Sequence, residues 1–275
     1  MPEVVEIKIT SEELHRSLSG KYIIRISLSP RAKHHQLDTI KSGTLIERVY
    51  SKGKKIIFEL RHKDKLFWMC SSLLMEGHWG WRNDLPHIQF GIVYGRKFND
   101  KIYVVENTIY FDDTRYFGSN DVYYSYAQIK SVLDGIGPDL LQDVIDPDYY
   151  LEVARSRSAN NKQVCSFLLE QKFFSGVGNY LKSEILYRCR IRPDREMNSL
   201  SDEEIYSLLE TSIEVIKESY RAGGLTIATF HSPTGKEGKF VCRVYGKQRD
   251  PLGNIVRKDT FKDKRTTHWV EKLQT

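Results

Sequence analysis

The sequence predicts an α+β protein with an N-terminal helix, an antiparallel β-sandwich domain, a helical domain and a C-terminal β-hairpin. Three observations indicate this order: a helical apolar period over 4–19, short β-rich runs over 21–117, and helical stretches after residue 146. With 275 residues, 40% of them hydrophobic, the chain is long enough for two domains and a small appendage.

The N-terminal helix is predicted over residues 4–19. Val4, Ile7, Leu14 and Leu18 share one face, and Gly20 follows as a stop signal. The pattern then changes to β-rich runs separated by Gly, Asn, Asp and Pro, which is typical of antiparallel strands. These runs are KYIIRISL (21–28), KIIFEL (55–60), KLFWMCSSLL (65–74), IYVVE (102–106) and TIYFDD (108–113).

A connector is predicted over 135–150, ending in an N-cap and first-turn proline at Asp146-Pro147. Helices are expected at about 160–171, 179–190 and 201–221. The last begins with a capping box, Ser201 and Glu204, and ends at Gly223-Gly224. The tail, 239–275, alternates around DPLGN (250–254), which predicts a hairpin.

Charge and cysteine usage limit the classes of function. The net charge of +6 permits a polyanionic partner such as nucleic acid without requiring one. The four cysteines are far apart and form no CxxC pair, which favours a reducing intracellular setting. The sequence has no secretory signal and no apolar run of membrane-spanning length, so no membrane partner is expected.

The first residues, Met1-Pro2-Glu3, suggest covalent chemistry. Once Met1 is removed, Pro2 is a terminal secondary amine beside a carboxylate. An α-amine has a pKa of about 8, against about 10.4 for lysine, so more of it is neutral at pH 7. Its condensation with an aldehyde carbon gives an iminium that stays cationic, which suits elimination. The alternative is that Pro2 is only a favourable first residue of a helix.

A Gly-rich turn, Gly176-Val177-Gly178, directly precedes Asn179 and a predicted helix. Backbone N–H groups at such a helix start bind anions, and glycines allow a phosphate to approach closely. Asn179 adds a donor, and Lys162, predicted on the preceding helix, adds positive charge. The alternative is an ordinary turn between helices.

Further candidate contacts to phosphates and bases lie in turns. Arg265, flanked by hydroxyls in DKRTTHWV, and Lys54, in SKGKK, are suited to gripping phosphates, although each is also an ordinary solvated cation. Met75 in LLMEGHWGW, with Arg115 and Phe117 in TRYFGS, can enter a base stack and replace a lost pairing partner. The alternative for these apolar residues is core packing.

Together these motifs resemble the formamidopyrimidine-DNA glycosylase and endonuclease VIII family, the helix–two-turn–helix DNA glycosylases. The matching segments occur in family order along nearly the whole chain. They are PExxE at Pro2–Glu6, GK at Gly53-Lys54, MxG at Met75–Gly77, DxRxFG at Asp113–Gly118, LLxQxxxxGVGNYLKSEIL at Leu168–Leu186, GKxGxFxCxVYGK at Gly235–Lys247 and RTTHW at Arg265–Trp269.

The resemblance implies a catalytic β-sandwich domain over 1–135, a helix–two-turn–helix DNA-binding domain over 136–235 and a finger hairpin over 236–275. It implies a bifunctional glycosylase and abasic-site lyase of base excision repair, with β,δ-elimination and no cofactor. Pro2 is then the nucleophile and Glu3 the acid/base group. The residues implied to hold phosphates are Lys54, Lys162, Asn179 and Arg265, and those implied to fill the duplex gap are Met75, Arg115 and Phe117.

Three departures from the family pattern stand out. The chain begins PEVVE rather than PELPE or PEGPE, and Tyr116 stands where many relatives have a second Arg. The tail lacks paired zinc-binding cysteines, so the chain resembles the zincless-finger members, and no metal is expected. The implied partner is double-stranded DNA with oxidised bases or abasic sites, bound by a monomer inside the cell.

Two other classes of function stay open. One is a catalytically silent protein that only binds damaged DNA, and the other is a proline-amine enzyme acting on small carbonyl compounds. Within the main hypothesis, oxidised pyrimidines and hydantoins are the predicted substrates, with 8-oxoguanine and formamidopyrimidines as the alternative. The loop from Thr226 to Lys239 is predicted to be the lid over the flipped base.

Overall fold

The structure is a computed structural model that describes residues 2–30, 32–33, 35–99, 102–225 and 231–275. The chain divides into two compact units. The β unit comprises Pro2, Glu6–Gly135 and 231–238; the helical unit comprises Glu3–Val5, Ile136–Leu225 and Lys239–Thr275. The three-domain division predicted above stays a prediction.

The first element, helix α1 (Val4–Leu18), confirms the predicted N-terminal helix. The predicted apolar face, Val4, Ile7, Leu14 and Leu18, is buried. The helix also buries polar side chains, since Glu6, Thr10, Ser11 and Glu13 are at most 4% exposed. Much of α1 is therefore enclosed, which the apolar period alone did not indicate.

Among its described residues, the β unit contains eight strands joined in one antiparallel sheet. In chain order they are β1 (Tyr22–Leu28), β2 (Thr44–Lys52), β3 (Lys55–His62), β4 (Lys65–Ser72), β5 (His78–Gly80), β6 (Ile88–Lys97), β7 (Tyr103–Asp112) and β8 (Ser119–Tyr123). Their order across the sheet is β5-β7-β6-β1-β2-β3-β4-β8. A short 3-10 helix, His35–Thr39, connects β1 and β2.

The two ends of this sheet face each other across an apolar core. Trp79 on the edge strand β5 lies 5.3 Å from the ring of Phe58 on β3, centroid to centroid. Its indole N–H donates to the Ser71 hydroxyl on β4 at 3.0 Å. Phe90 and Phe111 complete the aromatic cluster. The predicted sandwich is thus formed by one continuous sheet that folds over on itself.

Two details of the β unit differ from the prediction. The runs 102–106 and 108–113 form a single strand, β7, and Asn107 does not interrupt it. A register shift opposite Tyr94 and Gly95 absorbs the extra residue as a β-bulge. Helix α2 (Tyr126–Asp134) was not predicted, although Ser125 and Gln128 form a capping box that marks its start.

The helical unit contains α3 (Pro147–Arg155), α4 (Val164–Leu169), α5 (Asn179–Cys189) and α6 (Asp202–Arg221), with a short 3-10 helix at Met197–Ser199. The predicted caps are confirmed: Asp146 caps α3, and Ser201 with Glu204 forms the capping box of α6. Helix α4 is shorter than the predicted 160–171, because the residues before Gln163 form turns.

The C-terminal hairpin pairs β9 (Arg257–Thr260) with β10 (Thr266–Trp269). The turn between these strands is 261–265, not the predicted DPLGN. DPLGN is a separate tight turn: Asp250 accepts the N–H groups of Leu252 and Asn254 at 3.0 and 2.7 Å. Only an isolated bridge, Arg249 with Ile255, flanks it among the described residues.

Within the described ranges, the protein has no helix both long and apolar enough to cross a membrane.

Candidate active site

The carboxylate of Glu3 is held by the start of α5. Its two oxygens accept the backbone N–H groups of Gly178 at 2.6 Å, Tyr180 at 2.8 Å and Leu181 at 3.3 Å. Glu3 is 1% exposed. The helix start is an anion site, as its sequence predicts, but the anion is the chain's own carboxylate. The expectation that these N–H groups bind a DNA phosphate is therefore wrong.

The glycines of the turn before α5 make this approach possible. A Cβ on Gly178 would lie 2.3 Å from the Glu3 carboxyl carbon, and one on Gly176 would lie 2.7 Å from Val4 Cβ. Gly176 also has a φ of +115°, a conformation open chiefly to glycine. Because Val4 N–H donates to the Gly176 carbonyl at 3.1 Å, the N-terminal segment runs directly against this turn.

Gln171 braces the same turn, a role that the sequence reasoning missed. Its side-chain oxygen accepts the Gly176 N–H at 3.0 Å, and its side-chain nitrogen donates to the Val177 carbonyl at 3.0 Å. An amide is suited to this position because it supplies a donor and an acceptor together. The glutamine in the LLxQxxxxGVGN motif was the available signal.

Asn179 connects α5 to the hairpin rather than pointing only to solvent. Its side-chain N–H donates to the Thr266 carbonyl at 2.8 Å. Arg265, one residue earlier, is exposed at the end of the 261–265 turn, as predicted for a hairpin tip. Its own backbone N–H donates to Asp263 at 3.0 Å.

Lys162 lies in the turn before α4 and not on a helix, which corrects its predicted position. Its ammonium is 3.5 Å from the carboxylate of Glu170, and its side chain is about one-third exposed. In the β unit, Lys54 occupies the two-residue turn between β2 and β3, as predicted.

The three residues predicted to fill the gap in the duplex also occupy turns. Met75 lies between β4 and β5 and is partly buried. Arg115 and Phe117 lie between β7 and β8, with the Arg115 guanidinium 4.8 Å from the centre of the Phe117 ring. Phe117 is 51% exposed, so it is not a core residue.

Asp113 supports the loop that carries Arg115 and Phe117. Fully buried, its carboxylate accepts the N–H groups of Arg115 at 3.2 Å and Gly118 at 2.6 Å. Between them, Tyr116 has a φ of +58°, which is uncommon for a residue other than glycine. The loop therefore has a defined conformation, since one carboxylate holds it at both ends.

A cavity of about 820 Å³ opens in the β unit, lined by residues that include Glu76, His78, His231 and Thr234. Glu13 on α1 fixes its wall by accepting the Thr234 N–H and hydroxyl at 3.0 Å each. Burial, together with the nearby His231, lowers the pKa of His78 to about 4. Of the predicted lid, residues 226–230 lie outside the described residues.

The structure brings some of the predicted residues together. Glu3 meets the α5 start beside Asn179, Asn179 meets the strand next to Arg265, and Arg115 stacks on Phe117. Pro2 is buried and covalently adjacent to Glu3. Within the described ranges, no group of three or more His, Cys, Asp or Glu side chains is placed to hold a metal ion.

The order of N-terminal helix, folded-over β-sheet, helical unit and C-terminal hairpin is similar to that of DNA glycosylases of known structure. Three family models match the chain: the formamidopyrimidine-DNA glycosylase N-terminal domain over 1–120, the H2TH domain over 136–231 and the C-terminal domain over 232–275. The chain belongs to the formamidopyrimidine-DNA glycosylase family, which confirms the resemblance seen in the sequence.

Known relatives match over nearly their full length. The formamidopyrimidine-DNA glycosylase of Lactococcus lactis is 30% identical over 94% of each chain. That of Listeria monocytogenes serotype 4b is 30% identical over 91% of this chain and 89% of its own. A crystal structure of a Lactococcus lactis FPG variant with DNA containing Fapy-dG is similar with a TM-score of 0.84, at 26% identity and complete coverage of both chains. A complex of the wild-type Lactococcus lactis protein with DNA containing an oxidised pyrimidine has a TM-score of 0.82, at 26% identity with the same coverage.

Proposed function

We propose that the protein is a bifunctional DNA glycosylase and abasic-site lyase that removes oxidised bases from double-stranded DNA. Family membership and the net charge of +6 support this proposal. So do the complexes of the Lactococcus lactis relative with DNA containing Fapy-dG or an oxidised pyrimidine. We expect the protein to act as a monomer, inside the cell and with DNA.

The observation that carries the proposal is the tether of Glu3 to the start of α5. Three backbone N–H groups fix this carboxylate, and the peptide bond between Pro2 and Glu3 fixes the neighbouring amine within one residue of it. A structural helix start needs only an N-cap side chain from its own segment. Here it holds instead a carboxylate that lies 175 residues earlier in the chain, beside a potential nucleophile.

In the proposed reaction, Pro2 acts after Met1 is removed. Its nitrogen attacks C1′ of the damaged nucleotide and loses its proton, and the base leaves with the bonding electron pair of the glycosidic bond and takes up that proton. As the sugar ring opens, its oxygen accepts a proton from the carboxyl group of Glu3, leaving an iminium between Pro2 and C1′.

The iminium drives the strand cleavage. Because it withdraws electrons, a proton passes from C2′ to the Glu3 carboxylate, the bond from C3′ to its oxygen breaks, and the 3′ phosphate departs. A second elimination expels the 5′ phosphate in the same way, and hydrolysis then frees Pro2. No metal or cofactor is needed in this proposal, since the chain supplies the nucleophile, the acid and the electron sink.

The other predicted residues are proposed to hold the DNA. Lys54, Lys162, Asn179 and Arg265 contact phosphates, and Met75, Arg115 and Phe117 fill the space that the flipped nucleotide leaves. The exposure of Phe117 and its stacking with Arg115 support the second role. Such phosphate contacts make affinity fall steeply with salt.

For lesion choice, the first prediction is oxidised pyrimidines and hydantoins. The second candidate is formamidopyrimidines and 8-oxoguanine, which the names of the relatives favour. The two are distinguished by initial rates on a panel of duplexes that differ only in the lesion. A higher kcat/KM on the purine lesions would overturn the first prediction.

Borohydride trapping tests the nucleophile. The protein is incubated with lesion duplexes and borohydride, and the adduct is located by peptide mass spectrometry; we expect it on Pro2. An N-terminal tag that cannot be removed should abolish trapping, while Pro2→Gly keeps a terminal amine with altered chemistry. An adduct on a lysine, or none with any substrate, would refute the assignment.

A further inference from the structure

A buried ion pair joins α5 to the turn that carries Arg265. The ammonium of Lys182 lies 2.5 Å from one oxygen of Asp263, and the two side chains are 0% and 3% exposed. Burying two charges is costly, and a buried pair often contributes less to stability than apolar residues of similar size. Stability alone is therefore a weak reason for this pair.

The second oxygen of Asp263 fixes the backbone of the turn. It accepts the Arg265 N–H at 3.0 Å. Between these residues, Lys264 has a φ of +56°, and its N–H donates to the Phe261 carbonyl at 2.9 Å. A residue other than glycine keeps such a conformation only where its surroundings impose it. Asp263 thus couples the shape of the turn to a charge on α5.

The same helix also holds Glu3. The N–H groups of Gly178, Tyr180 and Leu181 bind the Glu3 carboxylate, and Lys182 follows directly in the first turns of α5. Asn179 adds a second link to the hairpin through the Thr266 carbonyl. The same helix therefore holds both the acid/base group, Glu3, and the turn that carries Arg265.

We infer that the Lys182–Asp263 ion pair is a positioning device for Arg265, fixing the 261–265 turn to the helix that also holds Glu3. The inference rests on the proposed function, in which Arg265 binds a DNA phosphate. Lys182 and Asp263 are positioning residues, since neither is proposed to contact DNA. Lys182 is the lysine of the GVGNYLKSEIL motif, and nothing in the sequence indicated its role.

The test measures how many phosphates the protein holds. The dissociation constant for a duplex with a tetrahydrofuran abasic-site analogue is determined over a range of salt concentrations. Removing one phosphate contact should reduce the slope of log K against log salt by about one. We expect this reduction for Arg265→Ala and for Asp263→Asn, with a KM for lesion DNA raised about tenfold and kcat changed less than threefold.

A double-mutant cycle connects the pair to Arg265. If the pair acts through Arg265, Asp263→Asn should have no further effect on the slope in an Arg265→Ala background. Lys182→Arg, which keeps the charge, should restore most of the slope lost in Lys182→Met. Glu271→Gln, which breaks the exposed hairpin ion pair with Arg257, is the matched control and should leave the slope unchanged.

A variant without the pair separates positioning from folding. Lys182→Met with Asp263→Leu removes both charges and leaves neither one buried alone, which favours a folded chain. If it folds and keeps the wild-type slope and KM, the positioning role is overturned. A wild-type slope for Arg265→Ala would instead overturn the phosphate role of Arg265 in the proposed function. A lowered slope in the double variant and in Arg265→Ala supports both the positioning role of the pair and the phosphate role of Arg265.

Discussion

In the β unit the interior is aromatic and aliphatic, with Phe58, Trp79, Phe90 and Phe111 in mutual contact at its centre. In the helical unit, buried carboxylates bind runs of backbone N–H groups. Glu3 binds three of them at the start of α5. Fully buried Glu184 binds those of Arg243, Val244 and Tyr245 at 2.9, 2.9 and 2.8 Å.

The two units therefore differ in how strongly substitutions at functional residues are expected to affect stability. In the β unit, Lys54, Arg115 and Phe117 sit on turns outside the core, so these side chains can change without disturbing it, and buried Asp113 is the one carboxylate described above that fixes a loop carrying two of them. In the helical unit, the groups that place Glu3 and Arg265 are themselves buried. Substitutions there are expected to affect folding and function together, because a buried carboxylate that is lost leaves unsatisfied N–H groups.

The largest expected effect is at Glu184. Glu184→Gln keeps the shape of the side chain but directs an N–H donor at backbone donors, leaving at least one of them unsatisfied. We expect the free energy of unfolding to fall by about 3 kcal/mol. Urea unfolding followed by circular dichroism measures this change.

The matched control is Ile92→Val in the β unit. Ile92 is fully buried in β6, and the substitution removes one methylene group from the apolar core. We expect a loss of about 1 kcal/mol. If Ile92→Val lowers the free energy of unfolding as much as Glu184→Gln does, buried carboxylates are no more important to the helical unit than apolar packing is to the β unit, and the contrast does not hold.

The next effect is a pH dependence inside the β unit. The pKa of His78 is lowered to about 4 by burial, from about 6.5 in an unfolded chain. Between these pH values the unfolded chain binds more protons at His78 than the folded chain does. The free energy of unfolding therefore falls as pH falls from about 6.5 to about 4, and the full contribution of neutral His78 is present above pH 6.5. At about 1.4 kcal/mol per pH unit, the loss of stability between pH 6.5 and pH 4.5 is at most about 2.8 kcal/mol.

His78→Gln isolates this contribution. Asp112, opposite His78 in the sheet, has a pKa raised by burial and so contributes in the opposite direction as pH falls. The difference between variant and wild type removes the Asp112 contribution from the comparison. Thermal unfolding at pH 7.5 and pH 4.5 should favour the variant increasingly at the lower pH. An equal difference at both values would exclude His78 as the source.

Local signals in the sequence predicted much of the fold. The capping box of α6, the Asp146-Pro147 start of α3 and the Gly53-Lys54 turn each depend on neighbours within four residues, and each is confirmed. Helix α2 had the same kind of signal in Ser125 and Gln128 and was missed. The fused strand β7 was missed because its bulge is defined by the pairing with β6 and not by its own residues.

The site was predictable as a set of residue types and not as a set of contacts. A glycine-rich helix start correctly indicated an anion site, but its occupant, Glu3, is 175 residues away in sequence. Lys182 and Asp263 are separated by 81 residues, and each alone reads as a solvated charge. Contacts at such separations follow from the tertiary fold and leave no local pattern.

The smallest expected effect on stability is at Phe117, where the effect on function should nevertheless be clear. Because its ring is 51% exposed, Phe117→Ala should change the free energy of unfolding by less than about 0.5 kcal/mol. If the ring fills the duplex after flipping, excision from a lesion duplex should slow about tenfold, since a lost wedge costs on the order of 1–2 kcal/mol of stacking. Single-turnover excision rates measure this.

Phe98→Ala is the matched control, since Phe98 is 73% exposed and lies just after β6 in the same unit. It removes an equal ring from a turn that has no proposed DNA contact, so its excision rate should equal that of the wild type. Equal slowing by both variants would mean that exposed apolar area, and not the position of Phe117 beside Arg115, determines the rate. A stability loss of more than 1 kcal/mol in Phe117→Ala would show that this loop is coupled to the core, as the carboxylates of the helical unit are.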